Sequence, residues 1–262
     1  MSGEIHALLD RLIAETRARH PTRPALIGVG GAQGSGKSYQ CRAYAAAHAG
    51  VAHFSLDDVY LTRTEREALA RELHPLFITR GPPGAHDLDL ADKTIAALDA
   101  ASPGGLTLFP RFDKARDDRA PEADWPRFAG RCNAILVDGW CFGAAAVQTS
   151  PPLNVLEANE DADGQWRALI NVALNGDYAD FFAAFDSIIY LQAPSWEIVR
   201  VWRGQQEEET LGRPLTTTEH AALDRFVMHY ERMTRAMLAG HHCARWIVHL
   251  DAARNVTRIE ER

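Results

Sequence analysis

Apolar residues follow two patterns along this chain. Short, nearly uninterrupted apolar runs predict buried strands at residues 25–30, 51–56, 106–109, 133–138, 187–192 and 246–250. Stretches with apolar residues three and four positions apart predict helices at residues 1–20, 37–50, 62–74, 90–101, 193–212 and 225–235. Because strands and helices alternate, we expect an α/β fold with a mostly parallel sheet flanked by helices, in one domain over residues 1–262.

The helical segments carry finer signals. Residues 1–20 predict an amphipathic surface helix, since charges interrupt the apolar positions as they would not in a signal peptide. Thr64 and Glu67 have the spacing of a capping box, which would start the helix that Pro75 stops. In the last helix, Phe226, Tyr230 and Met233 share one face and are expected in the core.

Composition excludes several classes of protein. The net charge is -7, and no basic run appears, which argues against binding to nucleic acid. The four cysteines are scattered without the spacing of a zinc site or a disulfide framework. No apolar run reaches the length of about 18 residues that a membrane span needs, so we expect a cytoplasmic protein with no membrane partner.

One glycine-rich segment predicts a phosphate-binding loop. Residues 31–38 match GxxxxGK[ST] at every fixed position, between a predicted strand and a predicted helix. Backbone N–H groups of such a loop surround phosphates, the lysine reaches the β- and γ-phosphates, and the serine binds Mg²⁺. Only three lysines occur in the chain, and a compact ammonium fits this loop better than the broad guanidinium of arginine. The predicted ATP-binding residues are Gly31, Ala32, Gln33, Gly34, Ser35, Gly36, Lys37, Ser38 and Tyr39.

Acidic residues follow two of the predicted strands. Asp138 ends an apolar strand and is expected near the magnesium ion, although it could also simply begin a turn with Gly139. Asp57 and Asp58 follow another strand, where one acid could accept the proton of an acceptor hydroxyl and the other could support it. Alternatively, one of these two acids caps the next helix.

Five further segments, together with the phosphate loop, resemble a known family. The segments are SLDDVYLTRTER, HPLFITRGPPGAHD, FPRFDKARDDRAP, VDGWCFGA and VWRGQQEEETL. In this order they resemble the ATP-dependent D-glycerate 3-kinases, a branch of the P-loop kinases related to phosphoribulokinase, uridine kinase and pantothenate kinase. The resemblance spans residues 25–240 and implies a P-loop NTPase fold with a helical lid at residues 195–215. It also implies transfer of the γ-phosphate of Mg-ATP to D-glycerate, giving 3-phosphoglycerate and ADP.

The resemblance assigns roles to individual residues. The spacing from Tyr60 in the family motif makes Asp57 the expected catalytic base, with Asp58 as its neighbour. Arg203 is the expected lid arginine and Lys37 the catalytic lysine. The expected metal site comprises Ser38, Asp57 and Asp138, although several relatives carry glutamate at the last position. The expected substrate contacts are Asp58, Arg80, His86, Asp87, Lys114 and Arg119.

Several of these assignments have plain structural alternatives. His86 could be a hydrogen-bonded loop histidine, and Arg80 could form a surface salt bridge. Lys114 and Arg203 could be solvated charges, and the segment around Lys114 is shorter than in eukaryotic members of the family. The acceptor could also be pantothenate, a nucleoside or another polyol. A regulatory ATP-binding protein is a third possibility, which Asp57 disfavours because a switch needs no base for an external alcohol.

Overall fold

The computed structural model describes residues 2–262, and its centre is a six-stranded sheet. Within those residues the strands are β1 (Ala25–Gly31), β2 (Val51–Ser55), β3 (Leu106–Leu108), β4 (Phe112–Asp113), β5 (Asp118–Arg119), β6 (Arg127–Ala129), β7 (Ala134–Gly139), β8 (Ser187–Gln192), β9 (Trp246–Leu250) and β10 (Val256–Glu261). The helices are α1 (Ser2–Arg19), α2 (Lys37–Ala47), α3 (Arg63–Glu72), α4 (Leu88–Asp99), α5 (Val155–Glu160), α6 (Gln165–Asn175), α7 (Asp177–Ala183), α8 (Trp196–Leu211) and α9 (Thr217–Leu238).

The strand order in the main sheet is β10-β9-β8-β1-β7-β2, and all neighbours are parallel except β9 and β10. All residues of β1 and β7 are buried, as expected for central strands covered on both faces. The register pairs Gly30 with Gly139 and Ser55 with Asp138. The carboxyl ends of β1, β2 and β7 therefore meet at one edge, where ligands bind in open α/β sheets.

Helices cover both faces of the sheet. On one face α1, α2 and α8 pack against β1, β8 and β9. The apolar stripe predicted for the first helix is buried here, with Leu9 fully inaccessible. Burial of each such side chain stabilises the fold by roughly 1.5–3 kcal/mol. On the other face α4, α6, α7 and α9 form a second core with β7 and β8. The predicted α/β architecture is therefore confirmed.

Three details differ from the sequence predictions. The capping box of α3 is formed by Thr62 and Glu65, and not by Thr64 and Glu67, because the chain turns helical two residues earlier. The strand predicted at 106–109 lies outside the main sheet and pairs with β6. The antiparallel strand β10 was not predicted, because its alternating charged residues lie at the sheet edge and give no continuous apolar run.

Among the described residues, no helix combines the length and the apolar character that crossing a membrane requires.

Candidate active site

The phosphate-loop sequence connects β1 to α2 with a conformation that only glycine adopts easily. Gly34 and Gly36 have positive φ angles of 75° and 88°. A Cβ added at Gly34 would lie 2.6 Å from the Cβ of Trp202 in α8, so this glycine also permits close packing. A Cβ at Gly36 would meet no atom of the described chain within 4 Å, so the loop is open at that point.

The start of α2 is free to receive an anion. Its N-cap, Gly36, has no side chain to accept the first N–H groups of the helix. Within the described chain, the buried hydroxyl of Ser35 in the loop also has no hydrogen-bond partner. Helix N-termini carry partial positive charge, so these donors suit the phosphates of a nucleotide. The residues present therefore fit the ligand that the motif predicts.

Asp138 lies at the end of β7 and is held from two sides. The hydroxyl of Ser38 donates to its Oδ2 at 2.6 Å, and Nε2 of His53 lies 2.7 Å from its Oδ1. Asp138 is fully buried, which alone would raise its pKa. The hydrogen bond and charge of His53, together with Lys37 and Ser38, outweigh burial and lower the pKa below its usual value. The donor set of a serine hydroxyl and a carboxylate suits Mg²⁺, so these residues fit the metal that the motif predicts.

Asp57 lies in the 3₁₀ turn after β2, and both of its oxygens are engaged. Tyr60 donates its phenol proton to Oδ1 at 2.7 Å, and Nζ of Lys114 lies 2.5 Å from Oδ2. Burial acts to raise the pKa of Asp57, but the charges of Lys114 and Lys37 and these hydrogen bonds hold it well below its usual value. Asp57 is therefore an ionised carboxylate whose partner is a lysine.

Asp58 has a different role in the same turn. It accepts the backbone N–H of Ser55 at 3.0 Å, while Ser55 Oγ accepts the N–H of Asp57, so the pair forms a capping box. Asp58 thus caps the 3₁₀ turn in which it lies, and the alternative that one of the two acids caps the next helix is wrong, because Thr62 is the N-cap of α3. Burial, with the nearby charges of Asp57 and Asp138, raises the pKa of Asp58 to about 6.

A cleft with a volume of about 340 Å³ lies between the phosphate loop and the helices α8 and α9. Five groups of residues line it: the loop and the start of α2, the turn after β2, the segment around Lys114, one face of α8 and α9, and the loops that carry Arg80 and Trp140. These lining residues are Gln33, Gly34, Lys37, Ser38, Asp57, Tyr60, Arg80, Lys114, Ala115, Trp140, Arg203, Gln206, Glu207, Thr210, Phe226 and Tyr230.

Two arginines expected in the site line this cleft. Arg80 forms an ion pair with Asp117, whose backbone also receives a hydrogen bond from the buried Arg66. Arg203 pairs with Glu207 at 2.7 Å, one turn further along α8, and its guanidinium lies over the ring of Phe226. By contrast, Arg200 pairs with Asp224 and is half exposed.

Three other expected substrate contacts have partners within the protein. Asp87 caps α4 through the N–H of Leu90 at 2.9 Å, and its other oxygen lies 3.1 Å from the guanidinium of Arg119. Arg119 also donates to the carbonyl of Tyr60. His86 is buried in a hydrogen bond with Tyr178, and burial lowers its pKa to about 4. The interpretation of His86 as a hydrogen-bonded loop histidine is confirmed, and direct substrate contact by these three residues stays a prediction.

Sequence reasoning missed several residues of the site. His53 gave no signal in the sequence, because only the pairing of β2 with β7 brings its ring to Asp138. Trp140 follows the expected metal ligand by two residues and donates its indole N–H to the carbonyl of Gly81. Phe226 and Tyr230 were expected in the core. Tyr230 is indeed buried, yet both also line the cleft, because α9 packs beside α8.

Comparisons with known proteins point to kinases. No family model matches the chain. The uncharacterized kinase mug58 of Schizosaccharomyces pombe is 28% identical over 246 residues, which cover 87% of each chain. The chloroplastic D-glycerate 3-kinase of Arabidopsis thaliana is 33% identical over 198 residues, which cover 70% of this chain and 41% of that enzyme.

The fold agrees with this relationship. The structure of a D-glycerate 3-kinase from Cryptococcus neoformans var. grubii matches 99% of this chain and 100% of its own, with a TM-score of 0.76 and 22% identity. The match spans less than half the length of the Arabidopsis enzyme, whereas the fungal structure is matched over its full length. The chain is therefore a homologue of D-glycerate 3-kinase that has the P-loop kinase fold.

Proposed function

We propose that this protein transfers the γ-phosphate of Mg-ATP to a hydroxyl group of D-glycerate, giving 3-phosphoglycerate and ADP. The observation that carries the proposal is the pair formed by Asp57 and Lys114 in the same cleft as Lys37. A carboxylate can take the proton of an alcohol, and cations beside it can hold an acceptor that is itself an anion. Homology to a D-glycerate 3-kinase supports this acceptor over other small alcohols.

The nucleotide side of the reaction uses the phosphate loop. Lys37 and the N–H groups at the start of α2 bind the β- and γ-phosphates, and Ser38 and Asp138 hold the magnesium ion. When bound there, a magnesium ion would neutralise negative charge on the phosphate oxygens, including the charge that moves onto the leaving group. Arg203 faces the same cleft from α8, where its guanidinium can stabilise charge on the transferred group.

On the acceptor side, the hydroxyl oxygen of glycerate forms a bond to the γ-phosphorus, and the bond from this phosphorus to the bridging oxygen of ADP breaks. Asp57 takes the hydroxyl proton. In the ion pair with Lys114 this carboxylate is a weak base, because its pKa is well below the usual value. An acceptor carboxylate gives Lys114 a second anionic partner, and the pKa of Asp57 then rises toward its ordinary value.

Two cations in the cleft can recognise the carboxylate of glycerate. Lys114 is one, and Arg80 is the other, because both line the cleft beside Asp57. The pairing of Lys114 with Arg119 expected from the sequence has less support, since Arg119 bonds to Asp87 and to the carbonyl of Tyr60. A three-carbon acid suits a cleft of this size that must also admit the γ-phosphate of ATP.

An acceptor screen tests the proposal. The purified protein is incubated with Mg-ATP and D-glycerate, L-glycerate, glycerol, pantothenate or uridine, and ADP release is measured for each. The position of the new phosphate is read by ³¹P and ¹H NMR. We expect D-glycerate to give the fastest turnover and glycerol to be poor, because the cations of the site would stay unpaired. Equal rates with glycerol or uridine, or only slow hydrolysis independent of any acceptor, would contradict the proposal.

A further inference from the structure

We propose that His53 is a positioning residue for the magnesium site, and that it acts by fixing the Asp138 carboxylate through a hydrogen bond from Nε2–H. The inference rests on the proposed use of Mg-ATP. It adds a residue to which neither the motif nor the resemblance gave a role.

The geometry holds Asp138 at three of its atoms. His53 Nε2 lies 2.7 Å from Oδ1, and Ser38 Oγ lies 2.6 Å from Oδ2. Ser55 Oγ donates to the backbone carbonyl of Asp138 at 3.1 Å. Since His53 and Ser55 are two residues apart on β2, which pairs in parallel with β7, both side chains reach the same neighbour. With Oδ1 fixed by His53, Oδ2 is turned toward Ser38, the residue expected to share the metal with it.

Protonation and burial make this hydrogen bond strong. The carboxylate of Asp138 is ionised and can only accept, so the ring of His53 must carry its proton on Nε2. The Asp138 side chain is 0% exposed and that of His53 is 9% exposed. A charge-assisted hydrogen bond shielded from water in this way orients its acceptor firmly.

His53 acts through Asp138 and not on the ligand. In the described chain its side chain lines a larger cavity that adjoins the cleft and shares Ser38, Asp57 and Lys114 with it, while the cleft lining itself does not include His53. Residues that hydrogen-bond to a metal ligand commonly change metal affinity by about 10- to 100-fold when they are removed. We therefore expect the effect of His53 to appear in the magnesium requirement and not in the affinity for the nucleotide alone.

The test measures binding of a fluorescent ATP analogue as a function of Mg²⁺ concentration, and separately in EDTA. Four variants are compared: His53→Gln, His53→Asn, His53→Leu and Cys41→Ala. Glutamine places an amide N–H close to the position of Nε2, whereas asparagine is too short to reach and leucine has no donor. Cys41 is the matched control, because its buried sulfur lies within 4.8 Å of the ligand atoms of both His53 and Asp138.

In His53→Leu and His53→Asn, the Mg²⁺ concentration for half-maximal binding should rise about 10- to 100-fold. Binding in EDTA should stay as in the unmodified protein, His53→Gln should recover most of the loss, and Cys41→Ala should show little change. Two variants without the donor, His53→Leu and His53→Asn, are used so that the test still works if one of them fails to fold. Thermal unfolding shows whether each variant is folded.

Unchanged magnesium dependence in a folded His53→Leu or His53→Asn variant overturns the inference. An equal loss of binding in EDTA also overturns it, and so does a His53→Gln variant that binds no better than His53→Leu. Each of these results would indicate general damage to the nucleotide site. If instead the unmodified protein binds the nucleotide with no magnesium dependence at all, the proposed function itself fails at the metal site.

Discussion

On the nucleotide side of the cleft, Ser38, Asp138 and His53 are joined by short hydrogen bonds between adjacent regular elements, α2, β7 and β2. On the acceptor side, the charged side chains lie in turns and loops and are joined by ion pairs. Lys114 lies in the turn between β4 and β5 and pairs with Asp57, and Arg80 pairs with Asp117 in the same turn.

The two sides also differ in exposure. Asp138 is fully buried, whereas the side chain of Lys114 is 55% exposed. A hydrogen-bonded network within a sheet is rigid, while an ion pair with one exposed partner is screened by salt and can rearrange. We infer that the nucleotide side is preformed and that the acceptor side can exchange partners when an anionic substrate arrives.

The largest expected effect is on turnover, and it comes from a change at Asp57, where the nucleotide side and the acceptor side meet. Asp57→Asn keeps the shape of the side chain but removes the proton acceptor, so turnover should fall by about 10²- to 10⁴-fold while ATP still binds. Asp58→Asn is the matched control and should reduce turnover less, because Asp58 caps the turn. Steady-state kinetics with both substrates measure this. A larger loss in Asp58→Asn would make Asp58 the base and reverse the assignment of the two acids.

Lys37→Ala removes the lysine of the phosphate loop, on the nucleotide side. Loss of the ammonium should lower turnover by at least about 10²-fold, in the range found for groups that stabilise charge in the transition state. The KM for glycerate should change little, because Lys37 is assigned to the phosphates of the nucleotide and not to the acceptor. Near-normal turnover in this variant would contradict the assignment of the loop to phosphate binding.

Lys114→Met probes the acceptor side alone. Methionine keeps the apolar stem and removes the charge, so the KM for glycerate should rise by about tenfold or more while the KM for ATP stays close to normal. The pKa of Asp57 should also rise without its lysine partner, which moves the acidic limb of the pH profile of kcat/KM to higher pH. Lys93→Met, at an exposed position of α4, is the control. A parallel rise in the KM for ATP would show that the two sides are not independent.

The same contrast explains what could be predicted from the sequence. The phosphate loop, Asp138 and the parallel sheet were predicted because each depends on local spacing and on an uninterrupted apolar strand. Whether Asp87 and Arg119 contact a substrate or each other depends on how loops 32 residues apart in sequence fold together. No pattern in either segment carries that information. His53 was missed for the same reason, since only the register of β2 against β7 brings it to Asp138.

The smallest expected effect is on the free energy of unfolding, and it should have opposite signs for Asp58 and Asp57, which lie in the same turn. Burial raises the pKa of Asp58 from 3.8 to about 6, so its ionised form is less favourable in the folded protein than in the unfolded chain. The carboxyl group of Asp58 therefore lowers the free energy of unfolding as pH rises from about 4 to about 6. Above pH 6 this destabilisation stays constant. Asn can still accept the N–H of Ser55, so Asp58→Asn should be more stable than the unmodified protein above pH 6 and equal to it below pH 4. A shift of about two pKa units corresponds to about 3 kcal/mol, and solvent screening of this half-buried group reduces the expected gain to about 1 to 2 kcal/mol. For Asp57 the sign is opposite, because its pKa is lowered and its ionised form is stabilised by Lys114. Asp57→Asn should be less stable by an amount that stays constant from pH 8 down to about pH 4 and shrinks only in stronger acid, because the pKa of Asp57 in the folded protein lies below its usual value of 3.8. Urea unfolding from pH 4 to 8 measures both variants, and a loss of stability in Asp58→Asn at pH 7 would show that its carboxylate is held by contacts stronger than the cost of its burial.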